Sequence, residues 1–132
     1  MGKAYLIVGE GNKPFLKSLE LSRRRRVVVS DKPLEVEGLY EVLDIFKQFD
    51  QVLSLARELS ESDDFVLDLY SHAFRLSAVS NHASLKLYLK LCELLTAIAK
   101  AKCFSLYISF CGSKGSKLYA KLKSIVDEEV PC

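Results

Sequence analysis

Five residues near the start of the chain, Gly9-Glu10-Gly11-Asn12-Lys13, have the composition of a phosphate-holding loop. Glycines let backbone N–H groups come close to an anion, a helix N-terminus adds partial positive charge, and a lysine adds a full one. The loop follows the apolar run Lys3–Val8 and precedes Pro14 and the helical pattern Phe15–Leu21, so it has a strand in front and a helix behind. An intact loop of this kind reads G-x-x-x-x-G-K-[ST]. Here it is shorter, Asn12 separates Gly11 from Lys13, and Pro14 stands where the serine or threonine belongs. Proline brings neither a hydroxyl for magnesium nor an N–H for phosphate. Glu10 adds a negative charge where the phosphate would lie. The same five residues also make an ordinary β-to-α turn, and both readings stay open.

A carboxylate follows later. Phe65-Val66-Leu67-Asp68 is an apolar run ending in an acid, the form of a magnesium-holding strand. Any buried strand that ends in an acid has the same form. A second candidate anion loop is Cys111-Gly112-Ser113-Lys114-Gly115, with Lys114 and Lys117 as its cations. Arg23, Arg24, Arg25 and Arg26 form a basic run that reads either as a nucleic-acid patch or as a solvated turn whose side chains snorkel over the fold. No aromatic residues interleave with them. The cysteines Cys92, Cys103, Cys111 and Cys132 are irregularly spaced, without a C-x-x-C pair, and only His72 and His82 could complete a metal site. Zinc spacing is therefore missing, and neither a metal nor a cofactor is expected. Cys103 and Cys111 fall on apolar runs and read as small core residues, Cys132 as exposed. Ser71-His72 lacks the surroundings of a catalytic triad, and there is no G-x-S-x-G elbow.

The elements that would position these residues follow from periodicity. Lys3–Val8 reads as a buried first strand and Val27–Val29 as a second. Gly38–Leu59 has apolar residues at spacings of three and four, a helical stripe that Asp50 could divide in two. Phe65–Leu69 is a buried strand, and Tyr70–Asn81 is irregular, with at most a helical turn. Ser84–Ala101 is the clearest helix, with Ser84 as its cap. Its leucines cover more than one face, which predicts burial on two sides or against a partner chain. Lys102–Phe110 is the best strand by composition, Ser116–Val126 a final amphipathic helix, and Asp127–Cys132 an acidic tail. Short apolar strands alternating with helices predict one α/β domain over residues 1–132. It is a three-layer α/β/α sandwich around a mostly parallel sheet of about four strands.

In this order the segments Y-L-I-V-G-E-G-N-K (Tyr5–Lys13), R-V-V-V-S (Arg26–Ser30), F-V-L-D-L-Y-S (Phe65–Ser71), the leucine-rich helix Leu85–Ala101 and F-S-L-Y-I-S (Phe104–Ser109) resemble the central part of the RecA/KaiC-type ATPase fold. The likeness extends to small archaeal domains of unknown function that share this fold and have lost the nucleotide machinery. The resemblance implies that Lys13 contacts phosphates and that Asp68 holds magnesium. It offers no counterpart for the loop's serine or threonine or for the family's catalytic glutamate. It therefore implies a retained fold without hydrolysis.

Composition sets the remaining bounds. Of 132 residues, 49% are apolar and 27% charged, which suits a folded domain rather than a disordered chain. The net charge of +2 gives no electrostatic argument for a nucleic-acid binder. Apolar runs stay well short of a membrane span, and no signal peptide is evident. With unpatterned cysteines this predicts a cytoplasmic protein with reduced thiols. Tryptophan is absent while lysine and glutamate are plentiful, which resembles a thermophile's composition. The expectation is a non-catalytic interaction or regulatory domain, with a homodimer or protein partner docking on Leu85–Ala101. The alternatives are a phosphorylated-ligand site at Gly9, Gly11, Lys13, Asp68 and Lys114, and nucleic-acid binding through the arginine run.

Overall fold

The computed structural model describes residues 2–22, 25–70, 83–112 and 114–132. Six strands and four helices are present among them. They run in the order β1 (Ala4–Gly9), α1 (Lys13–Leu21), β2 (Arg25–Ser30), β3 (Leu39–Glu41), α2 (Ile45–Arg57), β4 (Asp63–Asp68), α3 (Ala83–Lys102), β5 (Ser105–Cys111), α4 (Lys117–Ile125) and β6 (Glu128–Pro131). The strands form one sheet in the order β3-β2-β4-β5-β1-β6, with every pair parallel. The α/β sandwich read from the sequence is therefore present, with six strands in place of about four.

Strand alternation assigns the two faces. Leu6, Val8, Val29, Phe65, Leu67, Leu106, Ile108 and Phe110 join the larger core beneath α2, α3 and α4. Their neighbours Val28 and Val66 face the other way, and Phe15 of α1 packs on them. Among the described residues the second face has one helix, supplemented by Leu34 and Val36 from the connection between β2 and β3. Tyr5 and Tyr107, paired in register on β1 and β5, stack with ring centroids 5.1 Å apart.

Two strands differ from the sequence reading. The helical stripe 38–59 begins as β3, and the helix starts only at Ile45, with Asp50 inside it rather than dividing it. Asp44 sets the boundary: its side chain accepts a hydrogen bond from the Phe46 N–H at 2.9 Å. The Gln48 side-chain oxygen accepts from the Leu43 and Asp44 N–H groups at 2.7 and 3.0 Å. Gly38 opens β3 with φ 81°, and a Cβ there would lie 2.2 Å from the Arg26 carbonyl oxygen. Only glycine fits that turn. The acidic tail contains β6, an edge strand that tolerates Pro131 because, among the described residues, its outer side has no strand to pair with. Asp127 anchors it: the Ala4 N–H donates to its carboxylate at 2.8 Å, and its own N–H donates to the Ala4 carbonyl at 2.9 Å.

Helix α3 packs between α2 and α4 over the sheet. Tyr88, Leu91, Cys92, Leu95 and Ala99 are buried, and Leu85, Leu87, Leu89, Leu94 and Ile98 pack against the core around them. Its apolar faces are thus used within the chain, so they supply no argument for a second one. Ser84 lies inside the helix and is buried, not at its cap, because the helix already includes Ala83.

Candidate functional site at the carboxyl edge of the sheet

Strands β1 and β5 lie side by side, with Gly9 opposite Cys111 at their carboxyl ends. The chain leaves β1 through α1, which packs on one face. It leaves β5 through α4, whose Leu118, Tyr119 and Leu122 join the core on the other face. Two neighbouring parallel strands whose connections depart to opposite faces leave a crevice between their ends, the usual ligand position in open α/β sheets. A cavity of about 590 Å³ lies there. Residues 8–11 line one side, and Cys111, Gly112 and Lys114 line the other. Gly11 takes φ 60°, and the Lys13 N–H donates back to the Glu10 carbonyl at 3.2 Å, which closes the loop into the first turn of α1. Asn12 precedes the helix without a side-chain cap bond, and Pro14 occupies its first turn.

The cavity brings together Gly9, Gly11 and Lys114 of the sequence candidates, along with Glu10. It does not include Lys13 or Asp68. Lys13 is exposed and lines a separate depression of about 330 Å³ with Leu16, Lys17, Glu20 and Cys132. Asp68 ends β4 beside β2. Its carboxylate accepts from the Ser30 hydroxyl at 3.0 Å and from the Lys32 ammonium at 3.4 Å. Lys32 in turn stands 5.5 Å from the Phe15 ring centroid. Burial pushes the Asp68 carboxyl above its ordinary range, against the opposing pull of Lys32 and Ser30.

Lys114 pairs with Glu129 at 3.0 Å. Glu129 also receives Lys123 at 2.9 Å and the Tyr119 hydroxyl. That hydroxyl, with the two lysines, holds the Glu129 carboxyl at about 2. Glu129 is not among the sequence candidates because Asp127–Cys132 reads only as an acidic tail. The alternation of β6 turns it toward α4, and only the parallel pairing with β1 creates that alternation.

Arg25 and Arg26, the described members of the basic run, serve the opposite edge. Arg25 grips the buried Asp63 through two nitrogens, at 2.7 and 3.0 Å. Arg26 donates to the carbonyl oxygens of Leu19 and Ser22 at the end of α1, at 2.9 and 2.6 Å. This is the structural use of Arg25 and Arg26. Arg23, Arg24, His72, His82 and Ser113 lie outside the described residues.

All four cysteines are free thiols. Cys92 is fully buried, and burial pushes its thiol up to about 12, so it is a packing residue. Cys103 and Cys111 are half-buried rather than core residues: each sits at the end of its apolar run, where the chain reaches the rim of the sheet. Cys132 is exposed, as expected. No cluster of three or more metal-ligating side chains occurs among the described residues. No helix among them is long and apolar enough to cross a membrane. Comparison with known protein families, with curated proteins and with solved structures finds no match to this chain.

Proposed function

We infer that this chain is a non-catalytic binding or regulatory domain that keeps a RecA/KaiC-like frame and does not hydrolyse ATP. One observation carries the reading: the charged groups that nucleotide chemistry would require are not gathered at one site. Asp68 is taken up by Lys32 and Ser30. Lys13 lines a separate depression. Lys114, the cation at the cavity, pairs with Glu129, while Glu10 contributes a carboxylate to the wall. Phosphoryl transfer depends on positioned positive charge around the transferring group, and this arrangement supplies little. The test is phosphate release from ATP with magnesium by the purified chain. The expected result is no turnover. Turnover that disappears in both Lys13→Ala and Asp68→Asn would overturn the reading.

A second reading is binding of a phosphorylated small molecule in the same cavity, without chemistry. It is favoured by the position of the cavity where the sheet's connections diverge, and by its glycine walls at Gly9, Gly11 and Gly112. Calorimetric titration with inorganic phosphate and with AMP addresses it. Binding that weakens in Lys114→Ala supports this reading, and a flat titration at millimolar ligand rejects it.

A further inference from the structure

The four thiols are distributed unevenly. Cys92 lies in the core of α3, and Cys103 precedes β5 at the amino edge of the sheet. Cys111 and Cys132 alone share the carboxyl edge. Cys111 pairs in register with Gly9 on one side of β1. On the other side Val8 pairs with Pro131, so Cys132, one residue further, comes level with Gly9. The two cysteines therefore flank the same glycine from the two strands next to β1.

Their side chains also share a face. Alternation along β5 puts Cys111 on the side of Tyr107 and Ser109, the face covered by α1, where the Ser18 and Ser109 hydroxyls meet at 3.0 Å. Cys132 leans over β1 on that face: its sulfur lies 3.0 Å from where a Cβ of Gly9 would stand. The Cys132 sulfur thus already covers most of the distance from its own strand to β1. Only the missing side chain of Gly9 allows it.

We propose that Cys111 and Cys132 are a redox pair that closes into an intrachain disulfide across Gly9. Cα atoms two strand spacings apart are about 9.5 Å from each other, and a disulfide needs them within about 7 Å. The deficit of about 2.5 Å falls on Cys132, which follows the last paired residue of an edge strand and carries no ladder of its own. Exposure makes Cys132 the first thiol to react with a soluble oxidant, and Cys111 resolves it. With a small-molecule disulfide as oxidant, the Cys132 thiolate attacks one sulfur and expels a thiolate. The Cys111 thiolate then attacks the Cys132 sulfur and expels the second. Two protein thiols are oxidised, one external disulfide is reduced to two thiols, and the two thiol protons go to solvent or to the leaving thiolates. The bond ties β5 to the end of β6 over the start of the glycine loop. It links the wall of the cavity, which contains Cys111, to the depression that contains Cys132 and Lys13.

The experiment is incubation of the folded, reduced chain with excess oxidised glutathione, alkylation of the remaining thiols, and peptide mapping by mass spectrometry. The expected product is a monomer with a Cys111–Cys132 peptide bridge and with Cys92 and Cys103 alkylated on denaturation. Cys111→Ser and Cys132→Ser should each abolish the bridge, Cys103→Ser should leave it intact, and Gly9→Ala should slow its formation several-fold by displacing the Cys132 sulfur. A stable glutathione adduct on Cys132, a disulfide-linked dimer through Cys132, or four unmodified thiols would each overturn the proposal. Circular dichroism of each variant separates loss of the bridge from loss of the fold.

Discussion

The two edges of the sheet are built differently. At the amino edge, charged groups are bound to one another or to backbone. Arg25 holds Asp63, Asp63 also accepts from the Ser60 N–H at 2.9 Å, Arg26 closes the end of α1, and Asp127 ties β6 to β1 and meets Lys100 at 3.2 Å. At the carboxyl edge the chain keeps glycines, a cavity and two half-exposed or exposed thiols, and one carboxylate, Asp68, is held above its usual range. The difference shows where residues serve stability and where space is left over. Parallel strands direct their connecting loops and helix N-termini to the carboxyl edge, so ligand-sized gaps form there, while the amino edge is free to be tied shut.

Substitutions test that contrast. The largest effect is expected at the amino edge from Gly38→Ala, which forces a Cβ against the Arg26 carbonyl at a φ of 81°. Urea unfolding should show a loss of about 3 kcal/mol. An equal loss from Gly11→Ala, where a Cβ would meet nothing within 4 Å, would erase the distinction between the edges.

Next comes the Arg25–Asp63 pair. Asp63→Ala should cost about 1–2 kcal/mol, mainly through the unpaired Ser60 N–H, since the guanidinium is solvent-exposed and screened. Acid sharpens this comparison. Arg25 lowers the Asp63 carboxyl, and the Ala4 N–H lowers that of Asp127. Such groups contribute stability above their unfolded range, and it is lost as pH falls through their folded values. Asp68 works in the opposite direction. Its folded form takes up a proton at higher pH than the unfolded chain does, so acidification favours the fold between those two values. Comparing unfolding midpoints at pH 7 and pH 3, Asp63→Asn should lose less stability than the parent chain, and Asp68→Asn should lose more. The reverse order would refute the assignment of the two edges.

The smallest effect is a gain. Cys103 follows α3 with φ 64°, a left-handed conformation that suits glycine. Cys103→Gly should stabilise by about 0.5–1 kcal/mol, seen as a higher thermal midpoint. It should leave oxidation of the Cys111–Cys132 pair unchanged, because Cys103 belongs to the other edge.

Much of this arrangement was written locally. The strand at Ala4–Gly9 is a continuous apolar run, and Ser105–Cys111 is apolar apart from its two serines, as suits strands covered on both faces. Helix α3 is legible from its leucines, and α4 from Ser116, whose hydroxyl accepts from the Tyr119 N–H at 3.1 Å. The glycine loop was also legible as the link between a strand and a helix. β3 was not, because Leu39, Val42 and Leu43 fit a helical stripe as well as a short strand. The Asp44 cap was the one available signal against it. β6 was not legible either, because two glutamates and a proline carry little strand propensity, and an edge strand forms only where a neighbour offers its backbone.

The sequence by itself determined the α/β alternation, the apolar strands and the mismatch of Gly9–Lys13 to an intact phosphate-loop pattern, since each depends on residues adjacent in the chain. Tertiary structure alone decided the strand order. With it came the neighbours of each charged group: Asp68 with Lys32 and Ser30, Lys114 with Glu129, Arg25 with Asp63. It also set Cys111 and Cys132 on either side of Gly9. The physical reason is that pairing in a parallel sheet joins segments separated by a whole crossover, and no local periodicity encodes which strand will lie beside which.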